Sequence, residues 1–317
     1  MPFALLFPGQ GSQFVGMGSD LFDARPDLLG ERSNDLLGFD LRDLCLNGPD
    51  DELTRTDHAQ PALFALSYAL FEELSRSLPS PPAGLAGHSL GEYTALAASG
   101  ALTFETGLSI VARRGRAMAS AADLEPSGMA ALVGADLEVA RRVCKARTAI
   151  GGRLSIANVN TPTQVVVAGS SEDIDWLAQN ASDFGVRRAI PLKVAGAFHT
   201  GFMEPARAEV EEAFAGVSVA PPSWPVWSNT TAKPHRPEDI AATLARQVVE
   251  PVLFSDLLVD MHGSGIETFA HVGPGDVTAG LARKTLDDAE THVIASLVDI
   301  PAVAGALGTI APPEENL

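Results

Sequence analysis

Short apolar runs alternate along this chain with segments whose apolar residues recur at i, i+3 and i+4. That alternation predicts an α/β protein with a largely parallel sheet. Phe3–Phe7 is the first run and reads as a buried strand leading into a glycine-rich turn. Gln60–Leu74 has helical spacing, and the prolines of Pro79–Pro82 break the chain after it. Ala83–Ala86 is a very short apolar strand, Leu90–Ser99 the helix that follows, and Phe104–Ala121 a further helix rich in Ala and Arg.

Between residues 126 and 195 the rhythm changes. Met129–Val133 predicts a strand and Leu137–Ala146 a helix. Leu154–Ala157 and Gln164–Ala168 predict two strands with an Asn-Thr-Pro turn between them, Ile174–Phe184 a helix and Arg188–Val194 a strand. This βαββαβ order is the ferredoxin-like unit, compact enough to be an insertion in a larger domain. Beyond it the α/β pattern resumes. Pro225–Ser228 and Thr268–Val272 predict strands, Asp239–Val249 and Leu253–His262 helices, and Pro274–Lys284 a glycine-rich turn into a helix. The expected organisation is a catalytic domain made of residues 1–125 and 196–317, with a small subdomain, residues 126–195, inserted. The tail Ala311–Leu317 is expected to fray.

Bulk composition narrows the possibilities. Of 317 residues, 46% are hydrophobic and 20% charged, which supports a sizeable core and argues against disorder. Forty acidic against 22 basic residues give a net charge of −18, which argues against a nucleic-acid partner. Cys45 and Cys144 fit neither a disulfide framework nor a zinc ligand set, and are expected as buried thiols in a reducing cytoplasm. The apolar N-terminus is short and lacks the basic start and cleavage site of a signal peptide. No apolar stretch approaches the roughly 18 residues of a membrane-spanning helix. No metal site, nucleotide loop or redox-cofactor motif is visible.

The strongest chemical signal is Gly87-His88-Ser89-Leu90-Gly91, a G-x-S-x-G set between a short strand and a helix. The chain must reverse sharply there, which strains the backbone of the serine and forces glycine two residues before and after it. The hydroxyl then stands at the carboxyl end of the sheet, above a helix N-terminus that favours a developing oxyanion. Serine needs a base. Among seven histidines, His199 follows a strand and a small-residue loop, a suitable setting, although a satisfied core histidine would read the same. His88 adjoins the serine, but its place within the elbow points it away and suits it to ordering the turn. His58, His235, His262, His271 and His292 have no comparable setting.

Six motifs now carry a resemblance: Phe7-Pro8-Gly9-Gln10-Gly11-Ser12-Gln13, Gln60-Pro61-Ala62, Gly87-His88-Ser89-Leu90-Gly91-Glu92-Tyr93, Arg114-Gly115-Arg116-Ala117-Met118, Ala197-Phe198-His199 and Gly273-Pro274-Gly275. In this order, from Phe7 to about Lys284, they resemble malonyl-CoA:acyl carrier protein transacylases, the family that also supplies acyltransferase domains to fatty acid and polyketide synthases. The resemblance implies an α/β-hydrolase-like core. It also implies that Ser89 attacks the thioester and carries malonyl as an ester, with His199 taking and returning the proton. The backbone N–H groups of Gln10 and Leu90 would form the oxyanion hole, and Arg114 would pair with malonate's free carboxylate through two parallel hydrogen bonds. Gln60 would line the same pocket, and the carbonyl of Leu253, after Glu250-Pro251-Val252, would orient the histidine. Helical spacing separates Arg113 and Arg116 from Arg114, and both are expected on a solvated face. Leu90 and Phe198 resemble malonyl-selective members, Phe198 filling the space of an α-methyl group, a discrimination of about 1–3 kcal/mol. Thr200 stands where serine is frequent, and His271 where glutamate often precedes the Val-Gly-Pro-Gly turn.

The resemblance makes malonyl-CoA a substrate rather than a bound cofactor, acyl carrier protein the partner, and a monomer the default state. An acidic carrier would need a local basic patch on this acidic chain. Arg113, Arg116, Arg187, Arg188, Lys193, Arg283 and Lys284 are candidates, unless they are scattered solubilising charges. Two other readings share these residues: an acyl hydrolase that clears carrier-bound chains, and a catalytically silent docking module. A cation at Arg114 gives a hydrolase of neutral acyl chains no advantage.

Overall fold

The computed structural model describes residues 2–308, so the tail expected to fray lies outside the described residues. Two sheets organise the chain. The first is wholly parallel in the order β2-β1-β7-β8, from β1 (Phe3–Phe7), β2 (Gly84–Gly87), β7 (Thr268–Val272) and β8 (Glu290–Ile294). β1 and β7 are buried along their whole length, as central parallel strands covered on both faces must be.

Helices cover this sheet. Five short ones, α1–α5 (Leu21–Ala24, Pro26–Leu29, Glu31–Leu37, Leu41–Asn47 and Asp50–Thr54), precede the long α6 (Thr56–Ser75). The next two are α7 (Gly91–Ala98) and α8 (Phe104–Leu124). α6 carries Pro61 in its second turn, where the ring forgoes the intrahelical bond to the Asp57 carbonyl. Gly107 of α8 lies so close to the Phe64 ring that a Cβ there would approach to 2.5 Å, which lets the α6 and α8 backbones come together.

The second sheet is antiparallel, in the order β4-β5-β3-β6, from β3 (Ser127–Val133), β4 (Ser155–Thr161), β5 (Gln164–Ser170) and β6 (Arg188–Pro191). With α9 (Leu137–Ala149) and α10 (Ser171–Asn180) it has the βαββαβ succession expected for this stretch. Its one-sided core of Ala130, Leu132, Val165 and Val167 meets Val143 and Leu177 of those helices. α10 starts on a reciprocal cap in which Ser170 and Asp173 bind each other's backbone N–H.

The chain then returns through α11 (Glu204–Ala213), α12 (Ile240–Gln247), α13 (Phe254–Gly263) and α14 (Val277–Thr285), and α15 (Ile300–Gly308) follows β8. Pro225–Ser228 is not a full strand. It forms one parallel bridge, Leu85 to Val226, before Trp227 turns to pair with Pro234. The two sheets are tied where Val252 bridges Asn158 of β4, with Val159 N–H donating to the Val252 carbonyl at 2.8 Å. No helix among the described residues is long and apolar enough to cross a membrane.

The turn between β2 and α7 is the tightest point of the fold. A Cβ on Gly87 would lie 1.9 Å from the Gly91 carbonyl carbon, and one on Gly91 would lie 2.2 Å from the Phe7 oxygen. Both clashes are with backbone, which cannot yield. Gly87→Ala is therefore expected to cost about 3 kcal/mol or more, read as a lower denaturant midpoint at unchanged slope.

Candidate active site

Ser89 sits at that turn with φ 50, a left-handed conformation strained for a residue with a side chain. The strain persists because the backbone is held on both sides. The amide oxygen of Asn229 accepts the Ser89 N–H at 2.6 Å, while the Asn229 amide donates to the Gly87 carbonyl at 2.7 Å. The amide of Gln247 donates to the Ser89 carbonyl at 2.9 Å. The hydroxyl is thereby aimed at one point.

His199 meets it there. Its Nε2 lies 2.8 Å from Ser89 Oγ, and its own backbone is also left-handed, at φ 60. The loop that presents it is closed by Phe198 N–H donating to Gly196 O and Thr200 Oγ1 donating to Ala197 O at 2.7 Å. Threonine thus supplies the hydroxyl this turn uses. His199 Nδ1 lies 2.7 Å from the carbonyl of Gln247.

That last contact corrects one expectation. The orienting carbonyl belongs to Gln247, not Leu253. Gln247 is the last residue of α12, where helix carbonyls lack intrahelical partners and are free to accept. The Leu253 carbonyl is already committed to Leu257 N–H at the start of α13.

Arg114 is fully buried on the inner face of α8. Its guanidinium donates to Gln60 Oε1 at 2.5 Å, to Gln247 Oε1 at 2.9 Å and to Ser89 Oγ at 3.1 Å. It lies 5.2 Å from the centre of the Tyr93 ring, and its Nε has no partner. Every hydrogen-bond partner is neutral. Burial weakens the hold on its proton, opposed by Tyr93 and Glu92. A buried cation with no carboxylate in direct contact is expensive, and the arrangement suits an external anion. Arg113 instead faces outward and pairs with Glu209 and Glu212, and Arg116 is exposed, as their helical positions require.

A cavity of about 200 Å³ opens on these groups, lined by Gln10, Gln60, Ser89, Leu90, Arg114, Phe198 and His199 among others. Every candidate side chain except Leu253 is therefore brought together. Gly9 brings the Gln10 turn against the elbow, since a Cβ there would lie 2.4 Å from the His88 carbonyl oxygen. His88 is no base for Ser89. Its Nε2 lies 2.8 Å from Asn160 Oδ1 on β4, which ties the elbow to the second sheet.

Three residues at the centre of this network receive no role from the sequence. Gln247 touches Ser89, His199 and Arg114 at once, and its amide also donates to Glu92 at 2.6 Å. Glu92 accepts the Asn229 N–H at 3.1 Å and lies 2.6 Å from His235 Nε2. Glu92 stands in the elbow motif, which was its only sequence signal. Gln247 and Asn229 had none, because their roles depend on long-range packing. His271 is also buried, between Thr278 Oγ1 and the carbonyls of Gly273 and Pro274, and serves the turn before α14. Among the described residues no group of three or more His, Cys, Asp or Glu is placed to hold a metal ion.

The family model described as an acyl transferase domain matches residues 4–305. This chain therefore belongs to the acyl transferase domain family. It is 38% identical over 284 residues to the malonyl CoA-acyl carrier protein transacylase of Bacillus subtilis, covering 89% of this chain and 89% of that protein. It is 37% identical over 311 residues to the polyketide biosynthesis protein ThaF of Burkholderia thailandensis, covering 98% of this chain and 25% of ThaF, so it spans a quarter of that relative. A solved structure of a type II PKS acyl-carrier protein in complex with its malonyl-transacylase superposes with a TM-score of 0.91 at 32% identity. That match covers 96% of this chain and 100% of the other.

Burial pushes the His199 imidazole down to about 3, and the Arg114 charge adds to this while the Gln247 carbonyl opposes it. A lowered value favours the neutral ring, so His199 stays an acceptor at Nε2 throughout the neutral range. Imidazole NMR of the free protein is expected to show no protonation of His199 between about pH 8 and pH 5, where an ordinary histidine titrates near 6.5. A midpoint near 6.5 would contradict this.

Proposed function

We propose that this chain transfers a malonyl group from malonyl-CoA to the phosphopantetheine thiol of an acyl carrier protein, through a malonyl ester on Ser89. The observation that carries the reading is the buried guanidinium of Arg114, held by neutral partners 3.1 Å from the nucleophile. A free carboxylate on the acyl group would give that charge its counterion, in bidentate geometry. An acyl group ending in a methyl would leave it unpaired, which is why a hydrolase of neutral chains fits less well.

In the proposed cycle Ser89 gives its proton to His199 as its oxygen attacks the thioester carbonyl. The carbonyl oxygen would be received by the backbone N–H groups of Gln10 and Leu90, both at the cavity. His199 then protonates the departing sulfur of coenzyme A, and the carrier thiol reverses the sequence. Phe198 at the cavity wall would disfavour an α-methyl branch. The reaction as proposed needs no further cofactor. All these groups come from one chain, which supports a monomer as the acting unit, working in the cytoplasm.

The carrier would reach the cavity past a rim that includes Leu192, Val194, Val277 and Leu281. Lys193 lies between the first two, exposed Arg187 and Arg188 lie shortly before them, and exposed Arg283 and Lys284 follow on α14. These five are the basic residues we assign to docking an acidic carrier. Arg113 is already neutralised by its glutamates. The carrier-bound relative supports such a partner.

Two variants test the reading. Ser89→Ala is expected to reduce malonyl loading of holo carrier protein to background, followed by mass spectrometry of the carrier. Arg114→Ala is expected to lower kcat/KM for malonyl-CoA on the order of 10²-fold or more, the loss of a buried charge-assisted pair. Transfer of acetyl should gain relative to malonyl. Unchanged malonyl loading in Arg114→Ala would refute the role given to that residue.

A further inference from the structure

The site holds its nucleophile in an arrangement that restrains it. The carbonyl of Gln247 fixes the proton of His199 on Nδ1, so Nε2 is the acceptor and the Ser89 hydroxyl donates to it. Oγ then accepts a hydrogen bond from Arg114 Nη2. An oxygen lone pair engaged by a cationic donor is a poor nucleophile. The same buried positive charge also acts on the imidazole that must become a cation.

These effects do not cancel over the reaction. The guanidinium eases departure of the hydroxyl proton, because it stabilises negative charge on Oγ. That benefit fades as Oγ shares its electrons with the thioester carbon and the carbonyl oxygen takes the charge. The cost to the imidazolium lasts until its proton passes to the leaving sulfur and the C–S bond breaks. A guanidinium with no directly paired carboxylate therefore raises the barrier.

We propose that Arg114 gates the nucleophile: its guanidinium occupies Ser89 Oγ and sets its charge against His199, and an acyl group carrying its own carboxylate lifts both restraints. The inference rests on the malonyl reading and deepens it. Arg114 would then select the acyl group in the chemical step as well as in binding. Pairing with a carboxylate draws Nη2 away from Oγ and cancels the charge, so a dicarboxylic acyl unit switches on the base that consumes it. A neutral acyl group enters the same pocket and meets a restrained serine.

The surroundings of His199 leave Arg114 as the group able to do this. α8 contributes Arg114 and the elbow contributes His88, which burial keeps neutral. α12 and the turn after it contribute the carbonyls of Gln247 and Glu250. Glu92 of α7 is separated from the ring by the Gln247 side chain, to which it is hydrogen-bonded. The downward push on the His199 imidazole includes the Arg114 charge, second only to burial.

The test supplies the substrate in two pieces. Acetyl-CoA provides a thioester without a carboxylate, and formate provides a carboxylate small enough to share the cavity. Single-turnover acetylation of Ser89 in the intact protein is followed by mass spectrometry, with chloride balancing ionic strength. Formate is expected to accelerate acetylation saturably, roughly tenfold. Compensating the cation raises the basicity of His199. The acid limb of kcat/KM for acetyl-CoA is therefore expected to move to higher pH in saturating formate. Arg114→Gln should show that shifted limb without formate and no response to it. Inhibition by formate, or an unchanged rate and acid limb in the unmodified protein, would overturn the gate whatever the variant does. Failure of malonyl-CoA to load Ser89 would instead sink the substrate reading, and the formate response would remain readable.

Discussion

The structure depends on one oxygen atom held between two nitrogens. Ser89 Oγ lies 2.8 Å from an imidazole that can take its proton and 3.1 Å from a guanidinium that donates to it. Neither contact exists unless residue 89 takes a left-handed backbone conformation, and that conformation exists only because Gly87 and Gly91 permit a turn with no room for a Cβ. The parallel sheet serves the same end. It delivers β2 to this turn at its carboxyl edge, with β1 and its glycine-rich loop alongside.

Much of the restraint passes through a single side chain. Gln247 gives its carbonyl to His199, its amide oxygen to Arg114 and its amide hydrogens to the Ser89 carbonyl and to Glu92. A glutamine can do this because it both donates and accepts at its tip while its main chain ends a helix. Glu92 and His235 stand behind it, both with buried side chains. Buried polar groups in this number are tolerable only when nearly all are satisfied. The Nε of Arg114 is an exception, and it lies on the residue assigned to an incoming anion.

Legibility in the sequence followed the range of the forces involved. Phe3–Phe7 and Thr268–Val272 are strands over the expected residues, the first an unbroken apolar run, the second mostly apolar, and each buried along its whole length. The βαββαβ stretch was readable because its helices keep one apolar face and its strands pair locally. The helices between residues 21 and 54 were not foreseen. Each is four to seven residues long, too short to show a period. β8 was also missed, since Glu290–Ile294 is an edge strand with mostly half-buried residues. In the site, the elbow was legible because its glycines answer a local steric demand. Arg114 was singled out by resemblance rather than by its helix pattern, which places three arginines close together. Leu253 was misjudged, and Gln247 overlooked, because the end of α12 reaches His199 only through tertiary packing.

The central claim is that the hydroxyl at position 89 and the imidazole at 199 act as one unit to form an acyl-enzyme. Rapid quench of the protein with malonyl-CoA, followed by proteolysis and peptide mass spectrometry, tests this most directly. The account predicts a malonyl ester on the peptide that holds Ser89, formed at the rate of coenzyme A release and slowed about 10⁴-fold or more in His199→Ala. Coenzyme A released with no adduct on Ser89, or an adduct formed equally fast without the imidazole, would contradict it.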